Sequence, residues 1–275
     1  MKAVKKLVVM VIAVIGLLST QEVVAKAEAY LYEDKLENAT YDLALCVQLG
    51  ETDARVYYRK QCDDVDTTID EIFNFSNIGM IDTGEKSMDY QIFNLYQVSW
   101  SEESFDWTIS CFYVDITLEY RESAIETVLA KQTVDQLIKN NRHILKDLND
   151  AEKYEWIYQV AIDLLEYDYT LENDSVYEAI YSKDATCVGY TLFYYLMATE
   201  MGLPCKIAYG EADGGNHVWN LAELDGKWYY VDATWGEDDY DGYLLKAKKN
   251  VKTHTQNMGN MGKDIVFAKT DYIMK

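Results

Sequence analysis

Apolar residues recur at two different periods along this chain, and the changes of period mark out its elements. Tyr90, Ile92, Tyr96, Val98 and Trp100 alternate with polar neighbours, with Asn94 as a polar exception. Phe112, Val114, Ile116, Leu118 and Tyr120 alternate against Tyr113, Asp115, Thr117 and Glu119. Both stretches predict half-buried strands, and the Ser-Glu-Glu-Ser step at 101–104 suits a hairpin loop between them. A short strand is predicted at 56–58. Helical spacing takes over elsewhere. Residues 29–48 predict a first helix, and 64–75 a second with Val65, Ile69, Ile72 and Phe73 on one side. Residues 123–149 predict a long helix whose apolar side is Ile125, Val128, Leu129, Leu137, Ile138, Ile144 and Leu145. Residues 151–167 predict another, with Ile157, Val160, Ala161 and Leu164 at core spacing.

The pattern sharpens after residue 183. Val188, Leu192, Phe193, Leu196 and Met197 repeat at helical spacing behind Thr186, an N-cap candidate, and Gly202-Leu203-Pro204 supplies a stop. Cys187 then falls in the first turn, where the helix dipole and unpaired N–H groups favour a thiolate and can hold an oxyanion. Residues 216–224 and 227–234 predict two strands joined by Asp225-Gly226, a two-residue type I′ turn. That turn sets Leu224 opposite Lys227 and Trp219 opposite Asp232. His217, two residues from Trp219, shares the face of Asp232 one diagonal step away, about 7–8 Å at the backbone. An imidazole is thereby delivered to a carboxylate. In the same register Asn220 points to the other face and takes no oxyanion role.

A thiol, an imidazole and a carboxylate in this order suit nucleophilic catalysis. Cysteine attacks as thiolate, histidine holds its proton near neutral pH, and a carboxylate sets the tautomer of the histidine. Trp219, facing Asp232, is placed as a wall that screens the site from water. Tyr169, in the Tyr167-Asp168-Tyr169 step before the cysteine, is a second wall candidate.

At Cys187-Val188-Gly189-Tyr190, His217-Val218-Trp219-Asn220 and Val231-Asp232-Ala233-Thr234-Trp235, with Asp225-Gly226-Lys227-Trp228-Tyr229 between the last two, the chain resembles the transglutaminase-like superfamily. The resemblance covers residues 150–245 and implies a papain-like α+β fold: a nucleophile helix packed on an antiparallel sheet, preceded here by a small α+β unit. It implies a catalytic triad of Cys187, His217 and Asp232, a thioester intermediate, no cofactor, and an amine or water as acyl acceptor. The layout ahead of the motifs is similar to that of secreted bacterial, Gram-positive members. Many relatives carry Gly before the cysteine and Gln after it, where this chain has Thr186 and Val188. The alternative expectation is a non-catalytic cell-surface or wall-binding module that keeps the fold.

Composition adds boundaries. Lys2, Lys5 and Lys6, the apolar run 7–18 and small residues near Ala25, Ala27 and Ala29 predict a signal peptide at 1–29. It is followed by an N-terminal domain with its linking helix at 30–149 and a catalytic domain at 150–275. Secretion or cell-surface attachment is expected, without stable membrane insertion once the signal is removed. Residues 1–27 hold four lysines and one glutamate, so their removal takes the formal net charge from −22 to −25. That acidity excludes nucleic-acid partners; the resemblance implies a protein or peptide substrate, cell-wall or surface proteins included. Export permits disulfides among Cys46, Cys62, Cys111 and Cys205, with the pairing open. No metal site is expected: the histidines besides His217 are His143 and His254, and His254 is expected at the surface. The acidic run 237–241 lacks the ligand order of a calcium loop and is expected to be solvated. A strand is predicted at 243–245, and residues 251–275 show little periodicity.

Overall fold

The computed structural model describes residues 46–47, 51–58, 94–101, 104–106, 111–257 and 265–274. The predicted signal segment and the helix predicted at 64–75 lie outside them, as does the helix predicted at 29–48 apart from Cys46 and Val47, which are helical.

The described strands ahead of residue 121 form one antiparallel sheet. Strand β1 (Asp53–Tyr58) pairs with the long β4 (Cys111–Tyr120), whose other edge takes β2 (Leu95–Trp100) and then β3 (Ser104–Asp106). The alternation predicted for β4 holds: Val114, Ile116 and Leu118 are buried and Asp115, Thr117 and Glu119 exposed. Two expectations change. Residues 101–104 are not the loop of a hairpin between the two predicted strands, because Ser104 already pairs with Tyr113, in a pairing that runs to Asp106 and Cys111. In β2 the register shifts between Leu95 and Gln97, so Leu95 is buried while Tyr96 stands 64% exposed. A bulge flips side-chain parity, which an alternation count assumes constant.

Helix α1 (Ala124–Leu145) starts on a reciprocal capping box: the Ser123 hydroxyl accepts from Glu126 N–H, and the Glu126 carboxylate accepts from Ser123 N–H. Its buried side is Thr127, Ala130, Val134 and Leu145, while Ile125, Val128, Leu129 and Ile144 are exposed. The predicted apolar side is corrected accordingly. Helix α2 (Asp150–Leu164) repeats the device with Asn149 and Glu152. Ile157 and Ala161 are buried as predicted, joined by Tyr154 and Tyr158. The helix stops at Leu164, and β5 (Glu166–Tyr167) pairs in parallel with β6 (Asp184–Ala185) across the short helix α3 (Val176–Ser182).

Helix α4 (Cys187–Glu200) begins at the predicted residue, and Gly202 at φ +74 follows its end. It lies on an antiparallel sheet of order β10-β7-β8-β9, made of β7 (Cys205–Ala212), β8 (Gly215–Leu224), β9 (Lys227–Val231) and β10 (His254–Gln256). This is the mixed helix-and-sheet core expected, with two additions: β7 and β10 carry no prediction above. One sheet face, with Ile207, Ala222 and Val231, packs on α4 and α2, and α1 packs on α4 in turn. The other, with Ala208, Trp219, Leu221 and Tyr230, closes over Val251. After β9 come α5 (Ala233–Gly236) and α6 (Tyr240–Tyr243), so 243–245 is not a strand; Asp239 caps that turn by accepting from Gly242 N–H. Among the described residues no helix is long and apolar enough to cross a membrane.

Candidate active site

Each part of the site has a local cause. Thr186 is the N-cap of α4 and Cys187 its first residue, a free, half-buried thiol. The Thr186 hydroxyl makes no capping hydrogen bond. What holds the helix start is the loop ahead of it. Asp168 accepts from the Thr170 hydroxyl at 2.6 Å and from the backbone N–H groups of Thr170, Glu172 and Asn173. These bonds favour the charged carboxylate and hold it at about 2. The loop so shaped presents the Asn173 carbonyl to Thr186 N–H at 2.8 Å. Gly189 completes the close approach, since a Cβ there would sit 2.8 Å from Ala185 Cβ and 3.3 Å from the Ser175 carbonyl. One turn on, the Thr191 hydroxyl donates to the Val218 carbonyl at 3.1 Å and ties α4 to β8 beside His217.

The hairpin behaves as its turn dictates. Asp225 and Gly226 both have positive φ, at 54° and 70°, as a type I′ turn needs. Leu224 pairs with Lys227 and Asn220 with Val231. Strand β9 ends at Val231, one residue before Asp232, which instead caps α5: its Oδ1 accepts from Thr234 N–H at 3.1 Å and Trp235 N–H at 3.2 Å. The predicted strand to 234 is thus cut short, but the parity survives to Asp232. His217 Nε2 lies 2.8 Å from Asp232 Oδ2, both residues buried. Asn220 faces the helix, donating to the Thr191 carbonyl at 3.1 Å.

Electrostatics follow from this geometry. Burial alone would push the His217 imidazole down; hydrogen bonds to Asp232 and Cys187, with the charges of both, outweigh it and carry it up to about 9. Burial pushes the Asp232 carboxyl up, yet the bonds from His217 and from a second histidine hold it below the usual carboxylate range. The Tyr167 phenol is raised by burial and by the nearby Cys187. Arg121, which pairs with Asp174, is lowered by burial and lies within electrostatic reach of Cys187.

The second histidine is His254. It is not at the surface: its side chain is fully buried, Nε2 lies 2.9 Å from Asp232 Oδ2, and Nδ1 lies 2.9 Å from the Thr253 hydroxyl. It arrives on β10, which pairs His254 with Ala212. Trp219 is fully buried, stacked on His217 at 6.0 Å and edge-on to His254 at 4.8 Å. Trp235 and Tyr243 add rings 4.9 and 5.8 Å from His254. Tyr169 is 88% exposed, its ring edge-on to Tyr167 at 5.0 Å.

His217, Asp232 and His254 offer three potential metal ligands within 4.8 Å of one another, a grouping that the expectation of no metal site had not foreseen. The spacing suits protons better. Ligands on a tetrahedral ion at about 2.0–2.1 Å stand roughly 3.3 Å apart. Here the carboxylate oxygen is 2.8 and 2.9 Å from the two nitrogens, the distance of charge-assisted hydrogen bonds.

Comparison with known proteins places residues 139–233 on the family model described as the transglutaminase-like superfamily. The chain is similar to the human (Homo sapiens) kyphoscoliosis peptidase, 26% identical over 138 residues, which is 43% of this chain and 20% of that protein. It therefore spans about a fifth of that relative's length. Among solved structures, a TGase shares 13% identity over 66% of this chain and 51% of that one, with a TM-score of 0.34. A putative cysteine protease from Cytophaga hutchinsonii shares 14% identity over 51% of this chain and 65% of that one, with a TM-score of 0.31.

Proposed function

We propose that the transglutaminase-like segment at residues 139–233 is a cysteine-dependent acyl-transfer site acting on carboxamide or peptide bonds, with Cys187, His217 and Asp232 as its triad. The observation that carries this reading is one imidazole held between a thiol at a helix start and a buried carboxylate 2.8 Å away. An imidazole at about 9 keeps its proton at neutral pH, which suits a thiolate–imidazolium pair. The sulfur attacks the carbonyl carbon, and the oxyanion accepts from Cys187 N–H at the start of α4. His217 then gives its proton to the leaving amine as the C–N bond breaks, leaving a thioester. An amine or water attacks the thioester, His217 takes the proton of that nucleophile, and the thiolate leaves. Asp232 holds the His217 Nε2–H throughout. The same triad serves transglutaminase action with an amine and peptidase or amidase action with water. The basic, apolar start of the chain extends the reading to an exported enzyme that meets protein or peptide substrates at the cell surface.

The test is the rate of Cys187 alkylation against pH, read by mass spectrometry, in the wild type and in His217→Ala. Reaction persisting well below the roughly 8.5 of a free thiol, and lost in the variant, is expected. Ordinary thiol behaviour in both proteins would sink the enzyme reading and favour a binding module. Incorporation of a fluorescent primary amine, set against hydrolysis of the same peptide, then separates the two acceptors.

A further inference from the structure

We propose that His254 is a positioning residue for this triad, donating its Nε2–H to the carboxylate oxygen that His217 also uses and so extending the chain to Cys187–His217–Asp232–His254. The inference rests on the acyl-transfer reading above.

Asp232 is a fully subscribed carboxylate. Oδ1 takes two backbone N–H groups of α5, and Oδ2 takes Nε2 of both histidines, at 2.8 and 2.9 Å. A buried carboxylate oxygen needs donors, and solvent cannot supply one here, because the His254 side chain is fully buried among Trp219, Trp235 and Tyr243. Asp232 Oδ2 selects the tautomer: an ionised carboxylate only accepts, so His254 Nε2 carries the proton, and the Thr253 hydroxyl, 2.9 Å from Nδ1, donates to the lone pair left there. The approach is built into the fold. A Cβ at Gly210 would run into the Thr255 carbonyl, so a glycine there lets β10 close on β7. The Tyr230 hydroxyl donates to Gln256 Oε1 at 2.6 Å, and Asn257 N–H to the Tyr209 carbonyl at 2.8 Å, fastening the strand on both sides. With its second lone pair occupied, Oδ2 stays ionised and faces His217 in one orientation. His217 is thereby held through its Nε2–H in the ring orientation that turns its other nitrogen to Cys187.

The test uses the full chain with 15N-labelled histidine. Two Nε2-bound protons shifted downfield by a carboxylate are expected in the wild type. His254→Phe removes the donor and keeps a ring; His254→Gln places an amide N–H at about the reach of Nε2. The expected result is a Cys187 alkylation rate at pH 7 about tenfold lower in His254→Phe, with the His217 proton moved upfield, and recovery of both in His254→Gln. Unchanged rate and resonance in a folded His254→Phe would overturn the proposal. So would a loss that His254→Gln does not recover, which would mark ring packing and not donation. Should His254→Phe fail to fold, His254→Met takes its place: a flexible side chain of similar length that cannot donate to Asp232 should move the His217 proton upfield and slow alkylation. No change in either would overturn the proposal. A wild-type thiol that stays unreactive while both protons are present refutes the acyl-transfer reading alone.

Discussion

Raising the pH should weaken this fold through one side chain. The His217 imidazole sits at about 9 in the folded protein and at its ordinary 6.5 in the unfolded chain. A group raised on folding binds more protons in the native state, so its stabilisation is complete below pH 6.5 and drains away as the pH rises through 9. Two to three pKa units correspond to about 3 kcal/mol, at a slope near 1.4 kcal/mol per pH unit inside that window. This is an upper figure, because the unfolded chain keeps some local structure. Urea unfolding at pH 6 to 10, in the wild type and in His217→Gln, isolates the contribution as a difference between two curves. The glutamine still donates to Asp232 but does not titrate. The difference should be largest at low pH and shrink toward pH 9–10. In a Cys187→Ala background its amplitude should fall, since the thiol supplies part of the upward shift. A flat difference across the range would refute the arrangement of the three groups.

Two more outcomes follow from the same geometry. Asp232→Asn keeps the α5 cap but turns an N–H toward two imidazole nitrogens, forcing His217 into the other tautomer. Turnover and Cys187 alkylation should fall by roughly 10³–10⁴, measured as single-turnover rates at saturating reagent, and a loss below tenfold would contradict the assigned role. Gly210→Ala drives a methyl into the Thr255 carbonyl, so calorimetry should show a loss of about 1–3 kcal/mol as β10 is pushed from β7. An unchanged melting temperature would show that β10 does not need this close approach.

What could be read from the letters alone was whatever local chemistry determines. Asp225-Gly226 admits one turn type, that turn admits one register, and the register carries His217 toward Asp232. Thr186 before a helical run stopped by Gly202-Leu203-Pro204 placed Cys187 at a helix start. His254 was missed for the opposite reason. Strand β10 has three residues with no apolar alternation, and what fastens it is Gly210, the Tyr230 hydroxyl and Ala212, all distant in the chain. A glycine in β7 was the one available hint of a close neighbour. The side of α1 was misread because hydrophobicity ranks residues by transfer and not by fit: Thr127 and Ala130 allow close packing, while bulkier Ile125 and Val128 lie outside. Tyr96 fell to a bulge that no composition signals.

The two-residue turn at Asp225-Gly226 also limits how this hairpin can change in length over evolution or by design. A single residue added on the Lys227–Val231 side would turn the β9 side chains over relative to β8 and carry Asp232 away from His217. Lengthening is therefore tolerated only in steps that restore side-chain parity, or beyond Val231, where α5 and the acidic loop after it can absorb it. Insertions and deletions among relatives should avoid the stretch from His217 to Asp232 and collect at 237–241, and the same rule tells an engineer where a loop can be grafted without disarming the thiol.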